Sequence, residues 1–338
     1  MPDFSLQGGC ETDKLPRMKC AALRVCASLL MAGASSLYAG TAPAAAPQEG
    51  PVISLHVEND MFVGDDDNYT SGVRIGWMSG TTAESRTFSG MLGTVLGGTN
   101  ASDSWRRFMG MNGSSNLRQQ WGLDLTQLMF TPERKLREPI YGEHPYVGNL
   151  TLGLISLVKN EDRANVLELQ LGTTGSPSLA KGSQHLVHKM WGMEQWPGWN
   201  NQLPSEMTAN LFFKRYYRLR GLERHYGSGL ETDALAYWHA DAGTVKVQAG
   251  GGMTFRFGYN LGNTSPENSI RGATSAAPPF VYNRTSVSNW GYYGYLHASA
   301  RAVAHDLYLD GTVFHSSPDY VNKYPVVAEW GYGFGVAY

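Results

Sequence analysis

The chain has 338 residues with 27 basic and 29 acidic side chains, and a formal net charge of -2 leaves no cationic footprint for nucleic acid. Charged residues are 17% of the total, under the ~25% usual for soluble domains, while 40 glycines, 18 tyrosines, 12 phenylalanines and 9 tryptophans run high. Mean hydropathy of -0.30 and the lack of an uninterrupted apolar run of about 20 residues in the body exclude a polytopic helical membrane protein.

The amino terminus reads as an address. Lys19 and Arg24 precede an apolar stretch at 25–34, and small residues follow, so 18–46 is expected to be a secretory signal peptide cleaved between Ala39 and Ala46. Residues 1–17 then form an upstream extension, and 47–338 a single transmembrane β-barrel domain. Cys10, Cys20 and Cys26 all fall in the removable part. A secreted chain of this size with no disulfide fits the envelope of a Gram-negative bacterium.

Along the rest of the chain the recurring signal is two-residue alternation, as in Thr70-Ser71-Gly72-Val73-Arg74-Ile75 and Asn165-Val166-Leu167-Glu168-Leu169-Gln170-Leu171. Successive strand side chains face opposite sides, so each such run needs one apolar and one polar environment. The expected fold is all-β: an antiparallel outer-membrane β-barrel with a short loop helix. Strands are expected at 52–58, 69–79, 119–129, 148–157, 164–171, 208–217, 229–239, 244–257, 289–302, 305–314 and 326–338. Bacterial barrels have even strand numbers, so about twelve are expected, the last missing from this chain. Strand parity puts loops 59–68, 130–147 and 172–207 on one rim, the outer one. Segments 80–118 and 258–288 go to the opposite rim, where they exceed the short turns expected there.

Three clusters converge on the outer rim. Glu58-Asn59-Asp60 ends the first strand, and an Asp-rich loop leads to Asn68-Tyr69-Thr70. Grouped hard oxygen donors suit Ca²⁺, although the spacing is not that of an EF-hand. In the loop after the fifth strand, Gln184 and His188 are four apart and share a helix face, with Glu194 placed to fold back as a carboxylate partner. The third cluster, Met129-Phe130-Thr131-Pro132 with Tyr141 to Gly148, reads as aromatic packing at the membrane boundary. Gly-Xaa-Ser-Xaa-Gly, P-loop and His-Glu-Xaa-Xaa-His patterns do not occur.

These residues, with Asp67 to Arg74, His144-Pro145-Tyr146-Val147-Gly148, Gly198 to Leu203 and Leu309-Asp310-Gly311-Thr312, resemble the lipid A 3'-O-deacylase family of outer-membrane enzymes. The resemblance implies a twelve-stranded barrel and a carboxylic ester hydrolase that removes the 3'-linked acyloxyacyl chain of lipid A. It implies His188 as the base activating water, Gln184 orienting it, and Asn59, Asp60 and Thr70 completing the catalytic group. Asp60, Glu194 and Thr70 would hold Ca²⁺. The implied partners are lipopolysaccharide and outer-membrane lipid, with no nucleic acid, and a monomer. Glu143-His144 stands where that family has an Asp-Arg pair. The alternatives are an outer-membrane phospholipase A-type esterase, for which no convincing Ser–His pairing is found, and a non-catalytic porin-like barrel.

Overall fold

The computed structural model describes residues 50–59, 68–81, 109–111, 117–134, 136–138, 142–226, 229–266, 270, 272–282, 290–315 and 321–337. The proposed extension, the signal peptide and Asp60 lie outside these residues.

The described strands make one antiparallel sheet: β1 (Val52–Asn59), β2 (Asn68–Met78), β3 (Arg118–Thr131), β4 (Val147–Lys159), β5 (Arg163–Thr174), β6 (Met207–Arg218), β7 (Arg224–His225), β8 (Leu230–Gly243), β9 (Lys246–Tyr259), β10 (Gly291–Asp306) and β11 (Val326–Ala337). Each long strand pairs with the next in the chain, and the two-residue β7 pairs only with β8. The sheet curls into a half-barrel, and no described helix is long and apolar enough to cross a membrane.

The strand expected at 305–314 does not exist. β10 runs unbroken to Asp306, and Leu307–Asp310 forms a single helical turn, α2. The Asp306 side chain accepts from the Tyr308 N–H at 3.1 Å, and the Asp310 carboxylate accepts from the Asp306 N–H at 2.9 Å. Side chains thus satisfy the backbone groups that a ladder would have used. The long strands among the described residues number ten, and Leu307 and Tyr308 pack with Leu128, Phe130 and Ile270 at the rim of the candidate site.

Burial along the strands is inverted relative to a water-soluble sheet. On one face Arg74, Asp124, Glu168, Asp233, Lys246 and Arg256 are buried. On the other, Ile75, Leu125, Leu152, Leu171, Phe257, Leu296, Trp330 and Phe334 are exposed. Buried charges persist only where they are paired: Arg74 lies 3.1 Å from both Asp124 and Glu168, and the Arg256 Nε donates to Asp233 at 2.8 Å. An apolar exposed face this extensive requires a hydrocarbon neighbour.

The concave side is filled. The connection after β9 returns into it: the Ile270 N–H donates to Glu58 (3.0 Å), the Thr274 N–H to Glu168 (3.2 Å), and Lys159 Nζ to the Pro278 carbonyl (2.7 Å). Phe280, Ala273 and Ala277 pack against Met78, Ile155, Leu157, Val166 and Phe212. At the site rim, Ile270 joins Leu128, Phe130, Leu307 and Tyr308 in a second apolar cluster. The expectation that 258–288 is an overlong rim loop is therefore corrected in part: its described residues 270–282 are interior packing.

Candidate active site

Helix α1 (Ala180–Trp191) lies in the β5–β6 connection, and its buried residues are Ala180, Gln184 and His188. Spacings of four put these three on one stripe. The helix is seated on the outward face of the sheet rather than over its interior. Gln127, on that face of β3, donates to the Ser178 carbonyl at 2.6 Å. Gly148, on the same face of β4, makes room for the helix start: a Cβ there would lie 2.1 Å from the Ser178 Oγ and 2.4 Å from the Ala180 Cβ. Met129, Tyr146, Trp196 and Trp199 complete the contact with Ala180.

The helix ends at Gly192, whose left-handed φ of 67° turns the chain back, and the Met193 N–H bonds the His188 carbonyl at 2.8 Å. That reversal brings the Glu194 carbonyl oxygen to 2.6 Å from the His188 Nδ1. A carbonyl only accepts, so Nδ1 carries the proton and Nε2 presents its lone pair. The partner expected at Glu194 is therefore its main chain and not its carboxylate, which lies on an exposed residue. Gln184 accepts from the Trp199 Nε1 at 2.5 Å, and its amide nitrogen is buried without a partner among the described residues. An amide donor left unpaired in a buried position is costly, and a substrate oxygen or water would satisfy it.

Thr70 occupies a β-bulge, where the β2–β3 register steps from Tyr69↔Phe130 to Ser71↔Met129. The bulge re-aims it, and Thr70 and Thr131 share a hydrogen bond of 2.6 Å between their hydroxyls, both buried. In the ladders Asn59 pairs with Ser71, Ser71 with Met129, and Met129 with Gly148, so the β1 end and the α1 seat fall on one row. Thr131 and Trp199 have no assigned role in the sequence reading, because a bulge and a contact across 15 positions leave no local pattern.

His144 stacks on Phe130 with ring centroids 5.0 Å apart. Burial pushes its pKa below the usual value, partly offset by its bond to the Pro145 carbonyl and by the charge of Asp306.

A family model described as "Outer membrane protein LpxR" matches residues 24–338. The chain belongs to that family. LpxR from Salmonella typhimurium is similar in fold, with a TM-score of 0.57, 16% identity, and coverage of 80% of this chain and 78% of that one. No curated protein matches. Membership makes this an outer-membrane protein, in agreement with the apolar outward face of its sheet.

Ca²⁺ is the metal implied by the resemblance. Among the described residues no three His, Cys, Asp or Glu side chains group as a metal cage. The chemistry of the assigned donors, the carboxylates of Asp60 and Glu194 and the hydroxyl of Thr70, fits a hard cation such as Ca²⁺ and not a thiolate-seeking one.

Proposed function

We propose that this LpxR-family protein is a carboxylic ester hydrolase that removes the 3'-linked acyloxyacyl chain of lipid A, using Ca²⁺ and a histidine-activated water. The observation carrying the proposal is His188: a buried imidazole on the outward wall of the barrel, with Nδ1 donating to the Glu194 carbonyl and Nε2 left as the base. His188 takes a proton from water at Nε2, and the Nδ1 bond holds the imidazolium that results, a contribution of about 10²–10⁴ in rate. Gln184, fixed by Trp199, donates its free amide hydrogens to an oxygen of the substrate or of the water. Asn59, Asp60 and Thr70 would complete the catalytic group. Asp60, Glu194 and Thr70 would hold Ca²⁺, which when bound supplies Lewis-acid polarisation of an ester carbonyl.

The filled concave side speaks against the porin-like alternative. The test uses the mature protein refolded in detergent with purified lipid A, in Ca²⁺ or in EDTA, read by mass spectrometry. Loss of one acyloxyacyl unit from the 3' position in Ca²⁺ alone is expected. Intact lipid A under both conditions from a folded barrel overturns the reading, and phospholipid turnover in the same tube would move the assignment to the phospholipase.

A further inference from the structure

α1 carries a second apolar surface beside its buried stripe. Leu186, Val187, Met190 and Trp191 are 61%, 41%, 72% and 66% exposed. Leu186 with Met190 and Val187 with Trp191 are each four apart, so the four form one arc. Val187 follows Gln184 by three residues and Trp191 follows His188 by three, which makes the arc border the catalytic stripe. Lys181, His185 and Lys189 occupy the other side of the helix. Four large apolar side chains exposed together on so short an element exceed the scattered exposure ordinary at a surface.

The seat of the helix says what covers this arc. α1 stands on the outward face of β3 and β4, at Gln127 and Gly148. On the same two strands Leu125 pairs with Leu152, and both are exposed. That pair lies one row of outward side chains below Gln127, about 7 Å along the strands. The arc thus continues the hydrocarbon-facing surface of the sheet. A helix with lysines on one side and Leu, Met and Trp on the other, placed at the end of such a surface, has the make-up of an interfacial element: cationic side to anionic headgroups, apolar side to acyl chains.

We propose that the Leu186–Val187–Met190–Trp191 arc receives the acyl chains of the lipid substrate and holds its ester beside His188. This rests on the lipid A reading of the same site. The experiment places a photoreactive p-benzoylphenylalanine at Met190 in the mature chain, with His188→Ala so that the lipid is not consumed. The protein is folded into phosphatidylethanolamine vesicles containing a minor fraction of lipid A and irradiated.

Lipid A adducts several-fold above the lipid A mole fraction are expected. Adducts in proportion to the two lipids would reduce the arc to a general membrane contact, and adducts to protein alone would make it a contact between copies or within the chain; either overturns the proposal. As a kinetic readout, Met190→Ser with Trp191→Ser should raise KM for vesicle-borne lipid A by about tenfold with kcat little changed, the mark of lost uniform binding. An unchanged KM overturns it. Wild-type turnover in the same vesicles separates the two failures. Adducts without turnover remove the deacylase reading, and turnover without lipid A enrichment removes the docking surface alone.

Discussion

The imidazole of His188 is oriented by the main chain of Glu194, through a bond of 2.6 Å from Nδ1 to the carbonyl oxygen. The orientation of His188 therefore does not depend on the Glu194 carboxylate, and the two roles can be separated. Glu194→Gln leaves the carbonyl in place. If the carboxylate helps hold Ca²⁺, the half-saturating calcium concentration rises, on the order of tenfold or more, while turnover at saturating calcium changes little. Titrating turnover with calcium checks this, and an unaltered calcium response removes Glu194 from the metal site.

Gly148→Ala should unseat α1. The added methyl meets the Ala180 Cβ at 2.4 Å, and that atom has no rotamer through which to escape. Activity should drop by about 10²-fold, the scale of an ångström-sized misplacement of catalytic groups, with the barrel still heat-modifiable on gels. Normal turnover with normal protease resistance of the 175–206 loop would show that the helix is not positioned by this contact.

Phe280→Ala opens a void in the packing on the concave side, since Phe280 is fully buried against Ile155, Leu157 and Phe212. A loss of about 3–5 kcal/mol is expected. Urea unfolding in detergent micelles measures it, and a change under about 1 kcal/mol would mean that this connection is not load-carrying packing.

His144 sets an acid limit. Its pKa is lowered from 6.5 in the folded state, chiefly by burial, so below pH 6.5 the unfolded chain binds a proton that the folded one does not. Stability therefore falls as pH drops from about 7 toward 5, and it is flat with respect to this group above pH 7. His144→Phe keeps a ring against Phe130 and removes the proton uptake. Its unfolding midpoint should depend less on pH in that window than the wild type's, and identical slopes would contradict the assignment.

The sheet was readable because each strand separates two environments, so the alternation around Arg74 and around Glu168 survives in the sequence whatever the loops do. The Gln184–His188 stripe was readable for the same kind of reason, a local period. Residues 305–314 misled because Leu307 and Leu309 flank Tyr308 in a strand-like pattern, whereas the carboxylates of Asp306 and Asp310 decide the local backbone. The filling around Phe280 left no trace in the pattern: its strand partners sit more than 40 positions away, and nothing periodic runs through Ala273 to Tyr282. The twist of the Glu194 contact, carbonyl in place of carboxylate, depends on the left-handed turn at Gly192 and has no signature in residue type.

On the proposed lipid A reading, the filling of the concave side also fixes where the substrate can be. Phe280, Ile270 and Tyr308 are packed inside, whereas the helix that carries His188 is seated on the outward face of the wall. An enzyme that drew a lipid into an inner cleft would have to lift its chains out of the leaflet or rebuild that oil around them. At about 0.8 kcal/mol per methylene, a chain of about a dozen carbons represents close to 10 kcal/mol. A reaction carried out on the outside of the wall leaves those chains where they already lie, and only the ester has to change its surroundings.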